Sequence, residues 1–354
     1  MPMKIGVHKL AMASPADTAE LRAQLESGAI DPRSVVAVIG KTEGNGGAND
    51  FTRALATMCF AQVLAEARGE AVAEVEAAVA FVWSGGTEGV LSPHATVFTR
   101  QEDQDEPAGG GRLALGLAMS PDLAPEDIGR MAHVEMVRAA TERAMADAGI
   151  CDPADVHYVQ VKGPLLTPAR IADAGGRGAA LVTQDPNGSK PYARGAMALG
   201  VALALGEVKA ENVDDGAIAR RLELYSSVAS TSAGGELTKC EVLLFGNSAA
   251  AVGEFRIGHA VLADAIDASA VKAAISDAGG APVAVFAKAE AAATLRGRRT
   301  TMLSDADIHY ERHARAAVGG VIASVTGDPA IFVSGGTEHQ CTPGAAPIAV
   351  IARV

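Results

Sequence analysis

One pentapeptide, SGGTE, occurs twice in this chain, at Ser84 to Glu88 and at Ser334 to Glu338, each time directly after an apolar, strand-like run, AVAFVW and AIFV. Internal repetition constrains architecture more than any local propensity, because a recurring unit with one oily face must bury it against its own copies. A second echo sets GAIDPRSVVAVIGK against GICDPADVHYVQVK, with Pro32 nine residues before Lys41 and Pro153 nine before Lys162. Both segments follow a helical pattern that ends on glycine, Gly28 or Gly149, so the unit reads helix, turn, buried strand, lysine. DAGGAPVAVFAK is a looser third copy finishing on Lys288. A third echo opens Ala-rich segments of helical period at Arg53, Arg194 and Arg315.

Each unit therefore has the order lysine, arginine, serine. For the middle unit the spacing favours Ser226, since Arg53 and Ser84 are 31 residues apart and Arg194 and Ser226 are 32. Ser226 would then close a strand RLELY; Ser230 and Ser232 are the alternative registers. In the third unit Arg315 and Ser334 are only 19 apart, which predicts that one connecting helix is missing. The Gly-rich, acidic stretch Gln101 to Arg112 and the segment Gly246 to Arg256 read as linkers. They divide the chain into units at 1–103, 112–247 and 253–354. The expected fold class is α/β, three pseudo-threefold-related repeats around a central axial site.

Composition narrows the ligand. With 49% hydrophobic residues in 354, the chain buries a large core, and a formal charge of -12 argues against nucleic acid or an anionic membrane as partner. An anionic ligand must therefore meet a local basic pocket. The longest apolar run, Gly195 to Gly206, is too short to span a bilayer, and Lys4, His8 and Lys9 interrupt the stretch a secretory signal would need. Cys59, Cys151, Cys240 and Cys341 are scattered without metal-ligand spacing and read as reduced core residues of a cytoplasmic protein.

Three lysines, three arginines and three serines converging on an axis suit a flat ring with three carbonyl groups, each arginine donating in a planar fork. Glycine after serine lets backbone N–H groups approach a carbonyl oxygen, so Ser84 with Gly85 and Ser334 with Gly335 read as oxyanion holders. The middle unit departs from this pattern at Ser226 and Ser227, and broken symmetry is where unique chemistry is expected. A lysine whose pKa is lowered by neighbouring cations and burial can serve as base, which assigns Lys162 as base and Ser226 as nucleophile. Weighed against this, a single basic residue is more often a solvated charge and a single SGGTE more often a tight turn. GKT at Gly40 lacks the earlier glycine of a phosphate loop. His133 and Glu135 fall on an amphipathic helix with no PCxxC following.

These residues together resemble the cyanuric acid hydrolase and barbiturase family along the whole chain. The resemblance implies a threefold "toblerone" fold in which each repeat supplies one Ser-Lys pair and one arginine. It implies ring opening of cyanuric acid to carboxybiuret, which decarboxylates to biuret, or of barbituric acid to ureidomalonate. Substrate contacts carried over are Arg53, Ser84, Gly85, Arg194, Ser226, Ser227, Arg315, Ser334 and Gly335, with Lys41 and Lys288 completing the other two dyads. No cofactor is implied for catalysis. A structural divalent cation, magnesium or calcium, is implied at Glu290 with main-chain oxygens around Thr337, Gln340, Cys341, Thr342 and Ala345, although a plain helix-face acid is the bland reading of Glu290. Homo-oligomers, often tetramers, are usual in the family. A non-catalytic binder of planar anionic rings is the alternative of a different class.

Overall fold

The computed structural model describes residues 1–47, 50–107, 109–335 and 340–354; Thr337 and Glu338 lie outside the described residues. The chain forms β1 (Met3–Ala11), α1 (Ala19–Glu26), β2 (Val35–Thr42), α2 (Thr52–Arg68), α3 (Val72–Ala78), β3 (Ala80–Gly85) and β4 (His94–Glu102). There follow β5 (Arg112–Asp122), α4 (Met131–Asp147), β6 (Val156–Pro164), α5 (Pro168–Arg177), α6 (Ser189–Ala204), β7 (Ala229–Gly234) and β8 (Lys239–Ser248). The last stretch holds β9 (Phe255–Leu262), α7 (Ala268–Ala278), β10 (Ala281–Ala289), a small hairpin β11 (Thr294–Leu295) and β12 (Arg298–Arg299), α8 (Tyr310–Thr326), β13 (Phe332–Gly335) and β14 (Ala346–Arg353).

Three four-stranded sheets result, each from one contiguous stretch and each with the same strand order: β1-β4-β2-β3, β5-β8-β6-β7 and β9-β14-β10-β13. In every sheet the lysine-bearing strand lies parallel to the strand that follows the arginine helix, and the remaining pairs are antiparallel. The three inner faces share one apolar core, in which Ile5, Leu113 and Phe255 stand at equivalent positions of the three first strands. At its centre Phe98, Phe245 and Phe286 form a triangle with centroids 4.9, 6.2 and 6.3 Å apart. Burying each ring contributes about 1.5–3 kcal/mol, so this core fastens the sheets to one another. Each outer face packs on its own helices, as Trp83 does edge-on against Phe60 of α2 at 5.1 Å.

Local chemistry ends the elements where the spacing places them. Gly28, Gly149 and Gly279 follow α1, α4 and α7 with φ of 73°, 63° and 80°, a left-handed turn that glycine adopts without strain. Asp267 starts α7 by accepting from the backbone N–H of Ser269 and Ala270. The helix expected to be missing is α3, which has no counterpart between α8 and β13.

Several expectations need correction. RLELY is no strand: residues 221–228 run through turns, and the strand begins at Ala229. Only Cys240 and Cys341 are buried, while Cys59 is half-buried and Cys151 exposed. His133 lies on the helix expected for it, α4, and is fully buried, its Nε2 3.2 Å from Cys240 Sγ. No described helix is long and apolar enough to cross a membrane.

Candidate active site

The parallel strand pairs set lysine beside serine three times, at the same step of each ladder: Lys41 opposite Ser84, Lys162 opposite Ser232 and Lys288 opposite Ser334. Lys41 Nζ donates to Ser84 Oγ at 3.1 Å, to the Gly85 carbonyl at 3.3 Å and to the Val333 carbonyl of the third sheet at 2.7 Å. Lys288 Nζ donates to Ser334 Oγ at 3.3 Å and to the Thr231 carbonyl of the second sheet at 2.9 Å. Val333 and Thr231 each immediately precede the serine of a neighbouring unit. The lysines thus lock the three units together around the axis while facing their own serines.

This geometry sets Ser232, and not Ser226, opposite Lys162. Ser226 lies three residues ahead of β7, at the end of the strand remote from Lys162, fully buried, with Oγ accepting from the N–H groups of Val228 and Ala229. Its hydroxyl serves the backbone turn into β7. Ser227 is likewise outside the site, its Oγ bonded to Glu207 at 2.5 Å, and Ser230 bonds Gln160 at 3.0 Å. Equal arginine-to-serine spacing misled because the link between α6 and β7 lacks the second helix that α3 supplies in the first unit. The better signal was a second spacing: SGGTE, SAGGE and SGGTE each carry glutamate four residues after serine, at Glu88, Glu236 and Glu338.

Glu88 and Glu236 were not anticipated as site residues, and the structure gives both a role. Glu88 takes a two-pronged pair from Arg315 of the third unit, Nε at 2.9 Å and Nη2 at 2.6 Å. Arg315 is almost wholly buried, so this is a charge-assisted contact shielded from water. Glu236 lies 3.5 Å from Lys162 Nζ. Both carboxylates fold back over a glycine: a Cβ on Gly86 would stand 2.5 Å from Glu88 Oε1, and one on Gly234 2.4 Å from Glu236 Oε2. Burial pushes both carboxyl pKa values up, but the basic neighbours outweigh it and hold them below the ordinary carboxylate value: Arg315 and Lys41 for Glu88, Lys162 and Arg53 for Glu236.

Lys41 is pushed well below the ordinary lysine value, first by complete burial and then by the Arg315 charge, with Glu88 and Asp50 opposing. Gly85 makes room for Asp50, whose Oδ2 would be 1.7 Å from any Cβ there and which accepts from Gly46 N at 2.9 Å. The N–H of Gly86 is taken by the Thr42 carbonyl at 2.8 Å. Gly335 has φ of 134° and packs on the Ala289 backbone, and its carbonyl accepts from Arg315 Nη1 at 3.4 Å. Ala233 stands where the other units have Gly85 and Gly335.

Arg53 is the second residue of α2 and donates to the Gly47 carbonyl at 2.8 Å. With Lys162, Glu236, Trp83 and Glu241 it lines a cavity of about 510 Å³ between the first two units. Arg194 and Arg315 are each the sixth residue of their helices, α6 and α8.

Glu290 directly follows β10 and is buried near Cys341, whose thiol is raised to about 12 by burial first and the Glu290 charge after it. The Thr342 carbonyl accepts from Ala345 N at 2.9 Å, closing a turn beside Glu290. Glu290 thus leaves a strand end rather than a helix face. The Gln340 side chain is spent on the second unit, donating to the Arg221 and Leu224 carbonyls and accepting from Ala219 N. A buried carboxylate beside a turn of main-chain carbonyls is a hard-oxygen donor set of the kind that suits magnesium or calcium.

Residues 6–353 match the family model described as amidohydrolase ring-opening protein. A cyclic amide hydrolase from Azorhizobium caulinodans is 67% identical, the match covering 99% of this chain and 100% of that one. A cyanuric acid amidohydrolase from Bradyrhizobium diazoefficiens is 53% identical over 99% and 98% of the two chains. Barbiturase 1 of a Nocardioides species is 46% identical over 99% of each. Among solved structures, a cyanuric acid hydrolase described as a product of structural concatenation superposes with a TM-score of 0.95 at 48% identity, covering all of both chains. The enzyme of that kind from A. caulinodans gives 0.91 at 47% identity, over 99% of each chain. The chain belongs to the ring-opening amidohydrolase family. It is an enzyme that hydrolyses cyclic amides.

Proposed function

We propose that the enzyme opens cyanuric acid, releasing carboxybiuret that decarboxylates to biuret, with Ser232 as nucleophile and Lys162 as its base. The observation that carries this reading is the threefold recurrence of lysine opposite serine at one step of three equivalent ladders. A ring with three equivalent carbonyls meets the same donor set at each corner. Lys41 and Lys288 are held by main-chain carbonyls of neighbouring units, which suits them to fixing Ser84 and Ser334 as donors to two ring oxygens. Lys162 lines the cavity instead, and its unit alone has Ala233 after the serine. In the proposed step Ser232 Oγ bonds to a ring carbonyl carbon as its proton passes to Lys162 Nζ. That proton then goes to the departing ring nitrogen, and water releases the acyl group from Ser232.

Arg53, Arg194 and Arg315 are the proposed ligands of the ring's polar edge, oriented for Arg315 by Glu88. Glu290 and the carbonyls of the 340–345 turn would hold a divalent cation. Such an ion would brace the loop that follows the last serine motif. A second reading, Lys41 and Ser84 as the reacting pair, is favoured by their 3.1 Å contact and by the depressed Lys41 pKa. In its neutral form Lys41 has two N–H bonds for the Gly85 and Val333 carbonyls and a lone pair for the Ser84 hydroxyl proton.

The test is release of biuret and carbon dioxide from cyanuric acid, run beside barbituric acid, with Ser84→Ala, Ser232→Ala and Ser334→Ala. Loss of turnover by orders of magnitude in Ser232→Ala, with residual turnover in the other two, supports the first reading. The same loss confined to Ser84→Ala moves the chemistry to the first pair. Turnover of barbituric acid alone would reassign the substrate.

A further inference from the structure

We propose that the junction between the second and third units is a binding site for a transition-metal dication of the zinc class, held by His157, His259 and Asp277. The three ligand atoms come from different elements: His157 Nδ1 from β6, His259 Nδ1 from β9 and Asp277 Oδ2 from the end of α7. Their separations are 2.9 Å between the two imidazole nitrogens, 3.3 Å from His157 to Asp277 and 3.9 Å from His259 to Asp277. For zinc bonds of about 2.0–2.1 Å, the edge of a coordination tetrahedron is about 3.4 Å. The triangle therefore brackets one face of such a tetrahedron. Asp277 is about half exposed, leaving the remaining vertex open to water.

The repeats show what this junction replaces. His157 sits at a β-bulge where the ladder to β8 skips a residue, and the same bulge recurs in the other sheets at Val36 and Val283. His259 corresponds by register to Leu117 in the second unit. Val36 and Leu117 pack on the shared apolar core. Asp277 corresponds to Asp147: each lies in the last turn of its helix and accepts from the N–H of the strand residue, His259 at 2.9 Å and Leu117 at 2.9 Å. Asp147 is neutralised by Arg100 at 2.6 Å, whereas Asn247 occupies the Arg100 position in the second sheet. Two imidazoles thus stand where the junction of the first and second units carries Val36 and Leu117, facing an acid that has lost its arginine.

Electrostatics agree with cation binding. Burial holds His157 at about 4, with His259 and Arg256 adding and Asp277 opposing, so its ring is neutral and free to coordinate near pH 7. Burial lowers His259 too, with Asp277 and Glu207 opposing. The charges facing the site are then Asp277 and Glu207 against Arg256.

The test is titration of chelator-stripped protein with cobalt(II), read by the intense visible bands of a four-coordinate ion, followed by displacement with zinc(II). Binding of one equivalent is expected, weakened at least tenfold in His157→Val and His259→Leu, substitutions the chain itself uses at the equivalent positions, and unchanged in Glu290→Gln. No such bands, bands that persist in both histidine variants, or bands lost only in Glu290→Gln would each overturn the proposal. In those cases the pair is a plain imidazole hydrogen bond.

Discussion

Glu88→Ala tests the architecture of the site most directly, because it removes one partner of a buried ion pair and leaves the other charged. Arg315 retains about 3% of its side-chain exposure and Glu88 17%, so solvent screens the pair little. After truncation Glu311, 3.7 Å from Nη1, is the remaining ion-pair partner of Arg315 among the described residues. Leaving such a guanidinium unpaired costs about 3–5 kcal/mol, and the remaining Glu311 contact sets the expectation at the low end, about 3 kcal/mol. For a protein of 354 residues that corresponds to a drop of about 4 °C in Tm. Urea unfolding of Glu88→Ala, Arg315→Met and the double variant measures the coupling. The double variant should be less destabilised than the two singles together by 2 kcal/mol or more. A Glu88→Ala variant within about 0.5 kcal/mol of the parent, with no coupling, would refute the claim that this pair ties the first unit to the third.

Ser226→Ala should retain turnover while losing about 1 kcal/mol of stability, since its Oγ caps two backbone N–H groups; a loss of activity in a folded Ser226→Ala would restore it as the nucleophile. Gly85→Ala should lower kcat at least tenfold by displacing Asp50 and the Gly46 N–H it holds; an unchanged kcat in steady-state kinetics would contradict this. His133, buried and held at about 3 by burial, binds a proton in the unfolded chain from about pH 6.5 downward but not in the folded one. Stability should therefore fall as pH drops from 6.5 toward 3, by several kcal/mol at the low end. The decline should be shallower in His133→Gln, as equilibrium unfolding against pH would reveal.

How far the site was legible depends on which part of it the chain writes locally. Lys41, Lys162 and Lys288 end apolar strands that follow a turn at fixed distance, and a strand's period fixes which face each lysine meets. Arg53, Arg194 and Arg315 lie in the first two turns of Ala-rich helices, again a local signature. Ser84 and Ser334 are marked by their glycines. The middle serine was misread because the connection from α6 to β7 has its own length, and spacing along an irregular link carries no register. The hydrogen-bonded ladder between β6 and β7 sets Ser232 opposite Lys162. Glu88 and Glu236 escaped notice because an acid after a glycine turn looks like any solvated loop residue.

Repetition, unit order, the helix-turn-strand-lysine frame and the family chemistry are determined by the sequence itself, since periodicity and turn residues act within a few positions along the chain. Tertiary structure alone decides what meets across units: Arg315 of the third unit on Glu88 of the first, Lys288 on the carbonyl before Ser232, His157 against His259. These contacts join residues far apart in the chain, and their partners are selected by the packing of three sheets on one apolar core. A one-dimensional pattern holds no record of which faces that packing brings together.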